Sequence, residues 1–332
     1  MSKSFASTEF YRQVGATPLV GVSLDGESPP IWCKLEFLNP SGSTKDRIAA
    51  HILSKAWRAG VIARDTRVIE ASSGSTSIAL AMVCAQMGLR FTAVMPESVS
   101  NERVLMIRAY GGVVELSPQK HGIRGAMQRA EELARRSPAF LPRQFENPDN
   151  VAAHRFGTAR EIIQQVPGGA VDAVVSGVGT GGTLSGLFEG CKDHGCTVIP
   201  VAARPTCTAC GSDGFTDVEC CSFSARIPGV VENLSKLYRP QEMRGLVQID
   251  VDDELALRTT RALIAKGFPV GPSSGLNFAA AREFQRRNAA PLSIVTVFPD
   301  RMERYFSTEV FAPLRAVSEA PQSGRPLSAI QQ

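Results

Sequence analysis

Short runs rich in Val, Ile and Ala alternate with longer stretches whose apolar residues recur at helical spacing, and this alternation constrains the fold more than any other feature of the chain. It is the pattern of βα units, where strands are covered on both faces by helices. Arg67 to Ala71, Phe91 to Met95, Val113 to Leu116, Val171 to Val175, Thr197 to Ala202, Leu246 to Val251 and Ser293 to Phe298 read as strands. Ser77 to Met87, Asn101 to Tyr110, Ile123 to Arg136, Val151 to Gln165, Asp253 to Lys266 and Leu276 to Arg287 read as helices. The expected class is α/β, with mainly parallel sheets flanked by helices. At 332 residues two domains are expected, and the polar stretch Gln144 to Asn150 breaks the alternation at a candidate boundary near Phe145–Asn150.

A chain that is 43% hydrophobic and 20% charged can build a core without disulfides or a structural metal. A net charge of +4 with no basic stripe gives no reason to expect nucleic acid or a membrane surface as partner. Residues 1–15 lack a signal-peptide core, and the longest apolar run, Ile78 to Ala85, is far too short for a bilayer span. The expectation is a cytoplasmic protein with reduced thiols. The tail 318–332, rich in Pro, Ser, Ala and Gln, is expected to be loose.

Chemistry concentrates in loops of small residues that open helices. Asn39-Pro40-Ser41-Gly42-Ser43-Thr44-Lys45-Asp46-Arg47 leads into a helical pattern, so Lys45 falls at a helix N-terminus. The positive end of the macrodipole there favours a neutral amine, the form that Schiff-base chemistry requires. An exposed first-turn lysine would have the same sequence signature. Ser72-Ser73-Gly74-Ser75-Thr76 combines hydroxyls with the N–H groups of a helix start, a cradle for a carboxylate or simply a well-capped turn. Ser176 to Thr183 contains Gly177, Gly179, Gly181 and Gly182 before a helix at Leu184, an arrangement suited to a phosphate. Gly177-x-Gly179-x-x-Gly182 also matches a dinucleotide fingerprint, but Ala203-Arg204 stands where the ribose acid is wanted and fits only a 2′-phosphate. Gly271-Pro272-Ser273-Ser274-Gly275 opens a further helix, with a serine placed to cap it or to meet a ring nitrogen.

In this order, these segments resemble the cysteine synthase family, the β-family (fold type II) of pyridoxal-phosphate enzymes, from about Thr17 to about Thr308. Residues 39–47 are similar to that family's cofactor-lysine motif and Gly179-Thr180-Gly181-Gly182-Thr183 to its phosphate cup. Met95-Pro96, Glu102-Arg103, Gln144-Phe145 and the closing segment Pro299 to Thr308 also match. The resemblance implies that Lys45 holds pyridoxal 5′-phosphate as an aldimine and then removes the substrate Cα proton. It implies that Gly179 to Thr183 bind the phosphate, that Ser273 meets the pyridine nitrogen, and that Ser72, Ser73, Gly74, Thr76 and Gln144 hold the substrate carboxylate. A smaller, mobile domain of residues 38–148 would close on a larger one made of 1–37 and 149–317. The implied reaction is β-replacement on an O-activated L-serine, O-acetyl- or O-phosphoserine, through an α-aminoacrylate, by a small nucleophile and in a homodimer. Cysteine or another β-substituted alanine would result.

Two departures stand out. Ser75 occupies the position where the family usually has an Asn that meets the cofactor 3′-oxygen, and related desulfhydrase-like branches share the Ser-Gly-Ser-Thr variant. The segment Thr206 to Pro228 replaces a short Gly-rich loop, and its Arg226 is a candidate for greeting an anionic leaving group or nucleophile. Within it, Cys207-x-x-Cys210 and Cys220-Cys221 read as reduced thiols, a redox dithiol or, with poor spacing, zinc ligands; no metal site is expected. Alternatives to β-replacement are L-cysteine desulfhydrase-type elimination, a non-catalytic cofactor-binding sensor, and an NADP-dependent oxidoreductase resting on Gly177 to Gly182 and Arg204.

Overall fold

The structure, a computed structural model, describes residues 9–206, 226–230 and 234–319. An antiparallel pair, β1 (Leu19–Val22) and β2 (Ile31–Lys34), precedes α1 (Lys45–Arg58). Three βα units follow: β3 (Arg67–Ala71), α2 (Ser75–Met87), β4 (Arg90–Pro96), α3 (Asn101–Ala109), β5 (Val113–Ser117) and α4 (Gly122–Arg136). The strands β3, β4 and β5 form a parallel three-stranded sheet in that order.

The second half starts with one continuous helix made of α5 (Asp149–Ala153), a π turn at His154–Thr158 and α6 (Ala159–Gln165). It continues through β6 (Ala173–Gly177), α7 (Gly182–Asp193), β7 (Ile199–Thr206), β8 (Val247–Asp252), α8 (Asp253–Ala265), α9 (Pro272–Arg287), β9 (Ile294–Val297) and α10 (Ala312–Glu319). The second sheet has six strands in the order β1-β2-β9-β6-β7-β8, parallel except where β1 joins β2.

Sequence pattern and burial agree in α4 and α2. In α4 the buried residues Ile123, Ala126, Ala130 and Leu133 recur at helical spacing, leaving a basic outer face. In α2 every residue from Thr76 to Cys84 is buried, so this helix has no wet face and its apolar run is a core helix. One core lies under α1, α2 and β4, another between the six-stranded sheet and α9. The α5–π–α6 helix lies unusually close to α7, because a Cβ on Gly186 would stand 2.5 Å from the His154 Cβ. Only glycine permits that approach.

The structure differs from the sequence expectation in detail. The β1–β2 pair was not anticipated, the helix of Val151 to Gln165 carries a π turn, and α9 begins four residues earlier than Leu276. Cys207, Cys210, Cys220 and Cys221 lie outside the described residues, as does the tail beyond Glu319. Among the described residues no helix is long and apolar enough to cross a membrane.

Candidate active site

The carboxyl ends of β3 and β6 point at one cavity, into which the N-terminal turns of α1, α2, α7 and α9 also converge. Clefts at the carboxyl ends of parallel strands are where α/β proteins bind ligands, and helix N-termini add positive potential. Lys45, Ser72, Ser73, Ser75, Thr76, Gln144, Gly179, Thr180, Gly181, Thr183 and Ser273 all line it. Gly74 and Gly182 shape the backbone of the two loops instead. Arg226 is absent from the lining: its guanidinium donates to Glu309 Oε2 (2.5 Å) and Glu254 Oε2 (2.9 Å) at the surface. Arg204 likewise forks onto Asp250 (2.8 and 2.7 Å) at the surface, away from the glycine loop, so its expected place beside a ribose phosphate is corrected.

Hydroxyls organise the serine loop. Ser72 Oγ accepts from the Gly74 and Ser77 N–H groups (3.0 and 3.1 Å). Thr76 Oγ1 donates to Gln144 Oε1 (2.6 Å), and Gln144 Nε2 donates to the Ala71 carbonyl (2.8 Å). The Gln144 backbone N–H in turn donates to Glu70 Oε2 (3.2 Å), a buried carboxyl that desolvation pushes up to about 8. Asn150 couples this loop to the glycine loop, its Nδ2 donating to both the Gln144 carbonyl (2.8 Å) and Thr180 Oγ1 (2.9 Å).

The glycine loop is cramped. A Cβ on Gly179 would fall 2.2 Å from the Gly229 carbonyl, and one on Gly182 would fall 1.9 Å from Asn150 Oδ1. At the N-terminus of α7 the Gly182 N–H meets only Thr180 Oγ1 (3.4 Å), and the helix has no side-chain cap from its N-cap residue Gly181, a setting suited to an anion. Thr183 Oγ1 is backed by His154 Nε2 (3.3 Å), whose other ring nitrogen meets Thr158 Oγ1 (3.0 Å) inside the π turn. Burial drives His154 down to about 3, so the ring is neutral.

Lys45 is the first residue of α1 and its side chain reaches the cavity. Burial holds its amine below the usual range, against the pull of Asp300 and Glu36 and with the help of Arg304. The helix beneath it is anchored by charge. Arg47 donates to Glu36 (2.5 and 2.7 Å) and to Glu161 (2.7 Å from each nitrogen), and Lys34 pairs with Glu161 at 2.8 Å. Burial alone would raise Glu36, but Arg47 wins and brings it down to about 2.

Several groups in the cavity carried no role in the sequence reading: Arg103, Asn277, Asp300 and Tyr305. Arg103 and the pair Asp300 and Tyr305 sit in segments that carried the resemblance, which was their only signal. Asn277 accepts from the Gly177 N–H (2.7 Å) and donates to the Val297 carbonyl (2.8 Å), bracing the glycine loop against β9. The cavity fits a phosphorylated aldehyde: a cramped anion cradle at one helix start, an amine at another, and a buried Thr44 hydroxyl with no partner.

Residues 11–300 match the model of the pyridoxal-phosphate dependent enzyme family. Cysteine synthase B of Campylobacter jejuni subsp. jejuni is 39% identical over 90% of this chain and 97% of its own length. Among solved structures, O-ureido-L-serine synthase superposes with a TM-score of 0.81 at 32% identity, covering 98% of each chain. A hydrogen sulfide-producing enzyme from Fusobacterium nucleatum does so with a TM-score of 0.81 at 32% identity, covering 90% of each.

Proposed function

Because the chain belongs to the family of pyridoxal-phosphate dependent enzymes, we propose that it is a cysteine synthase-type transferase replacing the β-substituent of an O-activated L-serine. The observation that carries this reading is the single cavity in which Lys45 stands between a glycine cradle and a hydroxyl cradle, each at a helix start. When bound, pyridoxal phosphate supplies an aldehyde that captures amines and a ring that acidifies the neighbouring Cα–H.

Lys45 would hold the cofactor covalently and would serve as the base that takes the Cα proton. Its lowered proton affinity suits both tasks. Gly179 to Thr183 would hold the phosphate through backbone N–H groups and two threonine hydroxyls. Ser273, second residue of α9, would meet the ring nitrogen with a neutral hydroxyl, which would leave the ring a weak electron sink and favour loss of a β-leaving group. Ser72, Ser73, Gly74 and Thr76 with Gln144 take the substrate carboxylate. Arg226, engaged by Glu254 and Glu309, has no part in this set.

Residues 38–148, which contain the whole three-stranded sheet, act as the part that closes over the carboxylate and keeps water from the reacting centre. A cytoplasmic homodimer is the setting this reading expects. Elimination that releases sulfide from L-cysteine is the second reading. The resemblance links the Ser75 variant to desulfhydrase-like branches, and the Ser75 hydroxyl donates to Asp300 Oδ2 (2.9 Å), with no side-chain amide at this position to meet the cofactor's 3′-oxygen. The test presents O-acetylserine, O-phosphoserine or L-cysteine to the yellow protein with a panel of nucleophiles, following the visible spectrum and the products. A new β-substituted alanine from a serine ester supports replacement. Sulfide from cysteine with no response to either ester moves the assignment to elimination, and a protein that stays colourless with added cofactor refutes both.

A further inference from the structure

Asp300 is the one carboxylate among the described residues lining the cavity. It follows β9 and is only 7% exposed. Its Oδ2 accepts from Ser75 Oγ (2.9 Å) and Tyr305 Oη (2.6 Å), and its Oδ1 accepts from Ser43 Oγ. Those donors come from three places: the loop before α1, the start of α2 and the segment after β9. A buried carboxylate needs countercharge as well as donors. Arg304 reaches it only at 3.8 Å from Nη1, while its Nη2 is spent on the Ser41 carbonyl. Lys45 lines the same cavity, and the Thr44 N–H beside it donates to the Pro299 carbonyl (2.8 Å), which brings the lysine and Asp300 segments together.

The groups facing Lys45 divide clearly. Asp300 and Glu36 favour a proton on its nitrogen, and Arg304 opposes one. Glu36 is already neutralised by Arg47, and His154 is uncharged. Asp46 is bound by Ser41 and raised by burial to about 7, which weakens its charge. Asp300 is thus the acid left to serve the lysine.

We propose that Asp300 is a positioning residue whose charge acts across their shared cavity on the proton-bearing nitrogen of Lys45, and that Ser75 belongs with Ser43 and Tyr305 to the hydroxyl cage that fixes it. The inference rests on the reading above, in which Lys45 carries the cofactor. In this chain residue 75 serves the lysine's proton through a carboxylate instead of reaching the cofactor ring with an amide. Ser43 also accepts from the Lys45 backbone N–H (3.0 Å), so one hydroxyl orients both the helix start and the acid.

The test is a pH titration of the visible band of the lysine-bound cofactor in the purified holoenzyme, with a thermal melt to report the fold. Asp300→Asn removes the negative charge and is expected to lower the midpoint by about one pH unit, about a tenfold weaker hold on the proton. Ser75→Ala and Tyr305→Phe leave the carboxylate but strip a donor from it, sharpening its charge, and are expected to raise the midpoint by a few tenths. A purely structural role would move all three the same way. An Asp300→Asn midpoint within about 0.2 pH unit of the parent overturns the proposal. Where Asp300→Asn does not fold, Ser75→Ala decides: a rise supports it, and no change or a fall overturns it. A parent protein lacking any visible band refutes the cofactor reading instead, so the two failures are distinguishable.

Discussion

The serine loop at 72–76 and the glycine loop at 177–183 share a blueprint, each leaving a parallel strand and opening a helix over the same cavity, yet they are built from opposite materials. The glycine loop is crowded by its neighbours, the Gly229 carbonyl at Gly179 and the Asn150 side-chain oxygen at Gly182, so side chains are excluded and amides are left to do the binding. The serine loop is held by its own hydroxyls and by Gln144, and its one glycine, Gly74, is there because φ is +148°. Glycine density thus tracks how closely neighbouring groups approach the loop's backbone. Hydroxyl density tracks how much of a turn's bonding is internal. The first suits a doubly charged phosphate and the second a single carboxylate.

Removing the amine between the loops breaks the comparison most deeply. Lys45→Ala should cost about a thousandfold in turnover and abolish the visible band, while its melting curve stays near the parent's. Gly179→Ala should strike the cofactor: overpacking of about 1–3 kcal/mol against a backbone carbonyl predicts roughly 10- to 100-fold weaker pyridoxal phosphate retention, measured by dialysis and reconstitution. Gly74→Ala meets the flexible Arg103 side chain and a strained φ, and should raise KM for the amino acid about tenfold with cofactor retention unchanged. If Gly74→Ala sheds cofactor and Gly179→Ala does not, the division of labour is wrong.

The smallest effect sharpens the view from behind Gln144. Glu70 binds its proton more tightly in the fold, at about 8 against an ordinary 4.5, because of burial. The folded chain therefore holds the extra proton between those values, and stability falls as pH rises through that window. Glu70→Gln should match the parent near pH 4.5 in thermal melts and exceed it near pH 6 by about 2 kcal/mol, the gap widening toward pH 8.

Much of this was legible in sequence because buried parallel strands are written as continuous Val, Ile and Ala runs, as in β4 and β6. The lysine, serine and glycine loops announced themselves by small residues at strand-to-helix turns. Other parts had no local signal. The four-residue strands β1 and β2 are too short, and β1 is interrupted by Gly21. The π turn in His154-Arg155-Phe156-Gly157-Thr158 is imposed by packing against α7. The roles of Arg103 and Asp300 exist only once distant segments meet: Arg103 Nη1 donates to the Ser73 carbonyl (3.0 Å), and Asp300 gathers hydroxyls from three of them.

The strand order has a consequence for synthesis. Among the described residues the last strand to leave the ribosome, β9, lies between β2 and β6, in the middle of its sheet. The three-stranded unit has all its strands by Ser117 and can condense while the chain is still growing. The β1–β2 ribbon, made first, must wait with an unpaired edge until residue 297 emerges. For most of its birth the nascent protein is half an enzyme with an open seam, and that interval is when a chaperone or a neighbouring chain has its opportunity.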